Sequence, residues 1–358
     1  MNQPFVNCLV LLGLGAPSEP MVADAAAVDA LLVSAPHEGL VALLGAAIDV
    51  GAIVVDEESR ETVETAWAEA MARCVQLDVL LCTVSRQLAA AGIDHRALKG
   101  AAVAHLDEVV PSWRSYSDVD VLVPQGALMA STRALAWLQL RPLVQPVSER
   151  WAERFAKSLT LVGPEGTQVD LHRQLSPGVF GERLQMTALF ERSADIAVGD
   201  AVVPTLEAAH RFLHACYHAS LGGVRGARHR RDILLLARSV PVAAVSARWV
   251  EGWSSAVVAD ALDFAAGHTA TLPDDWAEWR RSLVVDAADR SLLATYSGTF
   301  GDQAVASVRA RGPWAAAQYA WPLLWPSRAH LRSRGRSRRQ HLSAVLRPRV
   351  LQSMRSRS

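Results

Sequence analysis

The sequence predicts an α+β fold in which helices precede and follow a central group of strands. The β-branched, apolar run from Val119 to Val123, closed by Pro124, predicts one strand. The segment from Ser158 to His172 has the pattern strand, turn, strand around a Gly-Pro-Glu-Gly sequence, which predicts a hairpin. Apolar residues at helical spacing through Glu57 to Ala91 predict a long helix.

Changes of pattern divide the 358 residues into four regions. Residues 1–90 predict a helical N-terminal region, and residues 91–200 contain the strands and predict an α+β core. Residues 201–327 predict a helical C-terminal domain, and residues 328–358 form a basic tail. Shorter helices are predicted at Ala101 to Leu106, Gly126 to Leu140, Ser148 to Phe155, Thr205 to His218, Asp232 to Arg238 and Trp249 to Gly267.

The charge of the chain is unevenly distributed. The formal net charge is zero, yet residues 328–358 contain ten Arg and no Asp or Glu. With the aromatic residues before it, this tail could bind an anionic partner such as RNA or an anionic membrane surface. A packed Trp-rich helix with a solvated tail fits equally, and the Arg-Ser alternation from Arg332 to Arg338 favours disorder there. The aromatic residues are Trp314, Tyr319, Trp321 and Trp325.

The cysteines have no paired spacing, which predicts free thiols in a reducing compartment rather than a zinc site or disulfides. The apolar segment from Phe5 to Gly15 is short and has no basic residue before it, unlike a signal peptide. No stretch reaches the roughly 18 uninterrupted apolar residues of a membrane span. We therefore expect a cytoplasmic protein without a transmembrane segment. The cysteines are Cys8, Cys74, Cys82 and Cys216.

Two aspartates, Asp118 and Asp120, accompany the first predicted strand. Side chains at positions i and i+2 of a strand point to the same face, so both carboxylates project together while Val119 and Val121 face a core. Two unpaired carboxylates at this spacing repel one another, and each tends to take up a proton unless a cation lies between them. A divalent metal ion is the simplest such cation.

Asp170 repeats the pattern, because apolar residues stand on both sides of it. The predicted hairpin would carry Asp170 back beside the strand of Asp118. Oxygen ligands with room for water and phosphate suit Mg²⁺ or Mn²⁺ better than zinc, which prefers nitrogen and sulfur. We therefore predict a metal site formed by Asp118, Asp120 and Asp170.

An ordered set of motifs resembles the nucleotidyltransferase superfamily. Lys99-Gly100 follows a short apolar run, and Arg114 stands four residues before the acid pair, which Val-Leu-Val follows. An apolar-Asp-apolar-His sequence then ends at His172. The chain most resembles a poorly characterised bacterial branch of this superfamily, the uncharacterised nucleotidyltransferase family. In that branch, Leu-Lys-Gly stands where better-known members have Gly-Ser. The resemblance is strong from Ile93 to His172 and loose in the helical remainder.

The resemblance implies a nucleotidyltransferase fold, with a small mixed sheet and flanking helices. Its carboxylates would hold metal ions on a nucleoside triphosphate, an acceptor hydroxyl would attack the α-phosphorus, and pyrophosphate would leave. Asp118 and Asp120 would then be metal ligands. Asp170 would be the third ligand or the base that accepts the proton of the acceptor.

The candidate nucleotide-binding residues are Lys99, Gly100, Arg114 and His172. Lys99 and the backbone around Gly100, at a helix start, would receive the triphosphate, although Ala101 stands where many members have Ser. Arg114 could contact phosphate or form a structural salt bridge with Asp118 or Asp120. His172 shares a strand face with the third acid, and a base or acceptor-orienting role for it is open.

Asp-x-Asp also occurs in other enzyme classes. Sugar-nucleotide glycosyltransferases would need a nucleotide-binding α/β unit before the pair, where this sequence predicts helices, and phosphatases with an aspartate nucleophile would usually have Thr after it. His214 and His218, at positions i and i+4 of a predicted helix, are compatible with a metal. Because the sequence shows no third ligand, the two histidines are better explained as partly buried helix residues, or as residues of an acceptor pocket, than as metal ligands.

The sequence therefore predicts a Mg²⁺- or Mn²⁺-dependent enzyme that moves a nucleotidyl group from a nucleoside triphosphate to an unidentified hydroxyl acceptor. The acceptor could be a small molecule, a peptide, a protein or RNA. One alternative is an antitoxin-like partner protein that binds nucleotide without turnover, which the missing Ser leaves open. Another is an RNA-binding protein that uses the basic tail.

Overall fold

The computed structural model describes residues 3–15, 19–223, 225–267, 272–294, 296 and 300–346. It confirms the α+β prediction, because a mixed sheet lies in the middle of the chain and helices surround it. The strands are β1 (Met21–Val22), β2 (Ile53–Val54), β3 (Arg96–Ala97), β4 (Val119–Leu122), β5 (Arg141–Pro142), β6 (Ser158–Val162), β7 (Gln168–His172), β8 (Ser193–Val198) and β9 (Ala201–Leu206).

The helices of the first half of the chain precede, connect or cover these strands. They are α1 (Gln3–Leu11), α2 (Ala25–Glu38), α3 (Val41–Asp49), α4 (Glu57–Ala90), α5 (Lys99–Leu106), α6 (Leu128–Leu135), α7 (Glu149–Phe155), α8 (Gly178–Glu182) and α9 (Ala188–Glu191). The helices after the sheet are α10 (Ala208–Leu221), α11 (Ala227–Ser239), α12 (Val242–Ser246), α13 (Ser255–Ala266), α14 (Asp274–Ser282), α15 (Ala287–Ala294), α16 (Phe300–Arg309), α17 (Pro313–Leu324), α18 (Arg328–Ser333) and α19 (Arg338–Leu346).

The main sheet has seven strands in the order β5-β6-β7-β4-β3-β9-β8. Strand β4 is parallel to β7 and antiparallel to β3, so the sheet is mixed as predicted. The predicted hairpin is confirmed as the antiparallel pair β6 and β7. Strands β1 and β2 form a separate parallel pair.

The two faces of the sheet meet different helices. Val121 of β4 lies in a core cluster with Leu77 and Leu81 of α4. Leu122, on the opposite face, lies in a second cluster with residues of α10, α11 and α13. Because side chains alternate along a strand, Asp120 shares the face of Leu122 and projects toward the helices that follow the sheet.

The helix predicted at Glu57 to Ala91 is confirmed as α4, which has 34 residues. The side chain of Asp56 accepts a hydrogen bond from the backbone N–H of Ser59 at 2.8 Å and caps the first turn. Gly92 then takes a φ of +70°, which favours glycine and ends the helix.

Three predicted helices differ in the structure. The helix predicted from Trp249 to Gly267 begins only at Ser255, because Trp249–Glu251 form a separate 3₁₀ turn. Residues Ala201–Leu206 form β9, so the helix predicted from Thr205 begins only at Ala208. Thr205 is opposite Ala97 in the sheet, and its hydroxyl donates to the Ala97 carbonyl at 2.6 Å. The sheet therefore extends past residue 200, and the division into domains remains a proposal. The helix predicted from Gly126 to Leu140 is shorter, because α6 ends at Leu135 in a 3₁₀ turn.

The expected disorder between Arg332 and Arg338 is wrong, because this segment joins α18 and α19. Tertiary contacts hold both helices: Nδ1 of His330 lies 2.7 Å from the Gln145 carbonyl, and the Arg338 guanidinium lies 3.9 Å from the centre of a Trp325 ring. The remainder of the predicted tail, residues 347–358, lies outside the described residues.

Three buried Arg–carboxylate pairs join the core to α10 and α11. In the first, Arg211 Nε and Nη2 donate to Asp107 at 2.8 and 2.7 Å. In the second, Arg231 donates through Nε and Nη2 to Glu108, with Nε at 3.0 Å. The third pair is Arg114 with Asp232. Such two-point pairs set orientation as well as distance.

Within the described part of the chain, no single helix combines the length and hydropathy of a membrane span. One pair of neighbouring segments has that length and hydropathy when the two are taken together, but a bend of 106° separates them. The pair is Ala227–Ser239 and Val242–Glu251.

Replacing Arg231 with Met should lower the free energy of unfolding by about 3–5 kcal/mol, because Glu108 would keep a buried charge without its partner. The side chains of this pair are each 1% exposed. Arg280→Met is the matched control, since Arg280 pairs with an Asp263 that is 60% exposed, and its loss should stay within about 1 kcal/mol. Urea unfolding followed by circular dichroism measures both. Equal losses would contradict the structural role of the buried pair.

Replacing Gly100 with Ala should destabilise the protein by about 1–3 kcal/mol, because of overpacking. A Cβ on Gly100 would lie 2.6 Å from the Cβ of Tyr116. Gly15→Ala is the control, since a Cβ there meets nothing within 4 Å, and it should change stability by less than about 0.5 kcal/mol. A neutral Gly100→Ala variant in the same unfolding measurement would show that α5 can move away from Tyr116.

Candidate metal and nucleotide site

Asp120 and Asp170 stand side by side in the centre of the sheet. The parallel register of β4 and β7 places Asp120 opposite Asp170 and Leu122 opposite His172. One donor atom from each of Asp120, Asp170 and His172 lies within 4.8 Å of the other two. The prediction that the hairpin carries Asp170 back to the acidic strand is therefore confirmed.

The carboxylate of Asp120 is held by two donors. Nζ of Lys99 lies 2.5 Å from Oδ1, and Nε2 of His172 lies 2.7 Å from the same oxygen. Burial by itself would raise the pKa of Asp120, but the Lys99 charge and the His172 hydrogen bond hold that pKa far below its usual range. Asp120 is therefore ionised.

His172 is fully buried, and burial together with the Lys99 charge lowers the pKa of its imidazole. The ring is therefore neutral. Because an ionised carboxylate can only accept hydrogen bonds, Nε2 carries the proton that is donated to Asp120. Nδ1 is then an acceptor, and it has no hydrogen-bond partner among the described residues. A buried acceptor of this kind is available to a hydroxyl group or a water molecule.

Asp118 lies immediately before β4 and is half-buried. Burial, followed by the negative charges of Asp120 and Asp170, raises the pKa of Asp118 to about 6, against the opposing effect of Lys99. The charges of Asp120 and Asp170 therefore disfavour the ionised form of Asp118, which a bound cation would favour. The donor cluster contains His172 in place of Asp118, so a ligand role for Asp118 stays a prediction.

The residues fit a divalent cation. The carboxylates of Asp120 and Asp170 converge beside the imidazole of His172, and the carboxyl of Asp118 is near enough for their charges to help raise its pKa. Carboxylate oxygens suit both Mg²⁺ and Mn²⁺, and Nε2 of His172 is not a ligand while its proton is donated to Asp120. The donor set therefore does not select one of the two ions.

Lys99 and Gly100 begin α5 beside these acids. Lys99 takes a φ of +48°, in the left-handed region that side chains other than glycine rarely adopt, and its ammonium group faces Asp120. The packing of Gly100 against Tyr116 explains why glycine is needed there. Close approach of a phosphate to Gly100 stays a prediction.

One interpretation of the sequence paired Arg114 with Asp118 or Asp120. The structure contradicts it. Both its terminal nitrogens donate to Asp232 of α11, with Nη2 at 3.0 Å. The charges that act on the Arg114 guanidinium belong to Asp232, Glu108 and Asp107. Its role as a nucleotide-binding residue therefore has no support in this geometry. Arg114 instead ties the core to the helical region.

Lys157 is a site residue that sequence reasoning missed. It immediately precedes β6, and its carbonyl accepts the backbone N–H of Arg173 at 2.9 Å. Burial, followed by the charge of Lys99, lowers the pKa of Lys157 to about 8, and Asp120, Asp170 and Asp118 act in the opposite direction. The available signal was composition, because Lys99 and Lys157 are the only lysines in the chain.

Two further elements complete the surroundings. Thr160 of β6 is opposite Asp170 and shares its face of the sheet, so its hydroxyl belongs to the same row as the acids. His214 of α10 is buried, and burial followed by the charge of Lys99 lowers its pKa well below the usual value. His218 has a lowered pKa for the same two reasons. The histidine pair therefore consists of neutral helix residues, and the charge of Asp120 acts on His214.

Solved structures with distant similarity include an antigenic nucleotidyltransferase-like protein from Paracoccidioides brasiliensis, with 14% identity over 59% of this chain and 95% of that one, and a TM-score of 0.36. The antibiotic-resistance factor ANT(2'')-Ia has 15% identity over 48% and 95%, with a TM-score of 0.33. The CCA-adding enzyme of Thermotoga maritima, complexed with tRNA, has 13% identity over 74% and 68%, with a TM-score of 0.25. These likenesses are too distant to support an argument about function.

No curated protein matches the chain. A family model described as uncharacterised nucleotidyltransferase matches residues 24–248, which include the acids, both lysines and the helices α10 and α11. The predicted family is thereby confirmed. Because this match spans more than half of its residues, the chain belongs to the uncharacterised nucleotidyltransferase family.

Proposed function

We propose that this protein is a divalent-metal-dependent enzyme that transfers a nucleoside monophosphate group from a nucleoside triphosphate to a hydroxyl acceptor. The observation that supports this most is the pairing of Asp120 with Asp170 on adjacent parallel strands, next to the ammonium group of Lys99. In the reaction, the acceptor oxygen bonds to the α-phosphorus while the bond from that phosphorus to pyrophosphate breaks. The proton of the hydroxyl passes to a base.

The proposed metal ligands are Asp118, Asp120 and Asp170, and His172 lies beside them. When bound, Mg²⁺ or Mn²⁺ would stabilise the entering and leaving oxygens of the transfer. Asp170 is either a ligand or the base. The contact from His172 supports a positioning role, since its proton holds one oxygen of Asp120 in place.

The positive charges of the site are proposed to bind the triphosphate. The charges of all three acids act on Lys157, and Lys99 acts on Asp118 and Asp120. Lys99 also stands at the start of α5, where backbone N–H groups point outward. Gly100 shares that position. Arg114 remains a weaker candidate, because Asp232 already occupies both of its terminal nitrogens. The acceptor is proposed only as a hydroxyl compound, which includes small molecules, peptides, proteins and RNA, and we propose a cytoplasmic location.

Asp120→Asn should reduce Mg²⁺-dependent nucleotide affinity and transfer about tenfold or more, because the amide keeps the shape of the side chain but removes its charge. Isothermal titration of ATP, GTP, CTP and UTP, with and without Mg²⁺, measures binding and names the donor. Asp195→Asn is the matched control, since Asp195 is an exposed acid on the edge strand β8 and should behave like the wild type.

Pyrophosphate release with labelled nucleotide separates transfer from binding alone. Metal-dependent binding that Asp120→Asn removes, together with pyrophosphate release in the presence of an acceptor, is the expected result. An Asp120→Asn variant with wild-type binding and transfer would refute the assignment of the site. Binding without any release of pyrophosphate, across the acceptor classes, would favour a nucleotide-binding partner protein.

A further inference from the structure

Helix α17 presents a row of exposed apolar side chains, which we call the Trp face: Trp314, Ala317, Trp321 and Trp325. The indoles are 77%, 66% and 50% exposed in that order. Their spacing of i, i+7 and i+11 places them on one side of the helix and its C-cap residue. Single exposed apolar residues are ordinary, but three indoles aligned on one side of a helix form an exposed apolar row.

The opposite side of α17 is fixed to the protein. Tyr319 is buried there, with its ring centre 5.2 Å from that of Phe155 and 5.6 Å from that of Trp151. The indole N–H of Trp151 donates to the Tyr319 carbonyl at 2.9 Å. The helix is therefore held by one side, and the Trp face lies on its exposed side, where Trp321 also lines a cavity beside Trp151.

The Trp face lies in a segment of one charge sign. Residues 303–346 contain eight Arg and no Asp or Glu. Arg311 pairs with Glu182, while the salt bridges within the described residues include none for the exposed arginines of α18, α19 and the turn between them. The guanidinium of Arg338 lies over Trp325 and joins the charged segment to the Trp face. The exposed arginines are Arg328, Arg332, Arg334, Arg336 and Arg339.

We propose that the Trp face and these arginines form a docking surface for an anionic lipid bilayer. Indole rings are favoured at the boundary between lipid headgroups and hydrocarbon, and arginines attract anionic headgroups. A helix that lies in the plane of this boundary needs an apolar face beside cationic residues, which is the arrangement seen here. Attachment through α17 to α19 would hold the protein on the membrane surface.

Two other occupants fit the surface less well. Single-stranded nucleic acid is bound in a basic groove in which successive bases stack on aromatic rings. The Trp face runs along one helix instead, and about 10 Å of helix separates Trp314 from Trp321. A second copy of the chain would bring two arginine clusters together, which repel. An anionic bilayer offers partners for both the apolar row and the positive charge of the arginines.

The test measures co-sedimentation of the full-length chain with vesicles of equal parts phosphatidylglycerol and phosphatidylcholine, and with vesicles of phosphatidylcholine alone. We expect binding to the anionic vesicles only, with a blue shift of tryptophan fluorescence. The double variant Trp314→Ala/Trp321→Ala should bind at least tenfold more weakly. Trp137→Ala is the control, because Trp137 is 80% exposed but lies in the 3₁₀ turn after α6, and it should bind like the wild type.

A charge variant makes the test independent of the tryptophans. Arg334→Gln/Arg336→Gln should weaken binding at low salt and reduce its dependence on salt, because both side chains are exposed and cationic. Thermal unfolding checks that every variant is folded. Three results would overturn the proposal: no binding to anionic vesicles, equal binding to both vesicle types, or wild-type vesicle binding by both double variants. RNA binding that these variants remove, without vesicle binding, would assign the surface to nucleic acid.

Discussion

The arrangement of the site depends on the buried carboxylate of Asp120. One oxygen accepts hydrogen bonds from Lys99 and His172, so a single charge connects the start of α5, the middle of β4 and the end of β7. A buried carboxylate without such donors would take up a proton and lose its use as a ligand. The two contacts keep Asp120 ionised, while burial and the charge of Lys99 leave His172 neutral. Burial and the charges of Asp120 and Asp170 then raise the pKa of neighbouring Asp118.

A second set of charges positions the helical region above the acids. The pairs Asp107 with Arg211, Glu108 with Arg231 and Arg114 with Asp232 connect the segment after α5 to α10 and α11. Buried ion pairs contribute little net stability, because desolvation offsets their attraction. Their two-point geometry instead fixes how the helices face the sheet. We infer that these pairs keep the histidines of α10 near the site.

Several features could be predicted from local pattern. The strand with Asp120, the hairpin that returns Asp170 and the long helix α4 each follow from residues close in the chain, because strand alternation, turn residues and helical spacing are local constraints. The errors share another cause. Thr205 has a helical context in the sequence but pairs with Ala97, and the Arg-rich segment after Trp325 is ordered by contacts with distant residues such as Gln145.

By itself, the sequence determined the α+β class, the family and the acids at the centre of the site, since these depend on short motifs and spacing. Only the tertiary structure decided which partners those residues have. Arg114 pairs with Asp232, 118 positions later, and His172 donates to Asp120, 52 positions earlier. Likewise, only the folded structure shows that Lys157 belongs to the site. Charged side chains select partners through distance and burial, and neither quantity is set until the helices and the sheet have packed together.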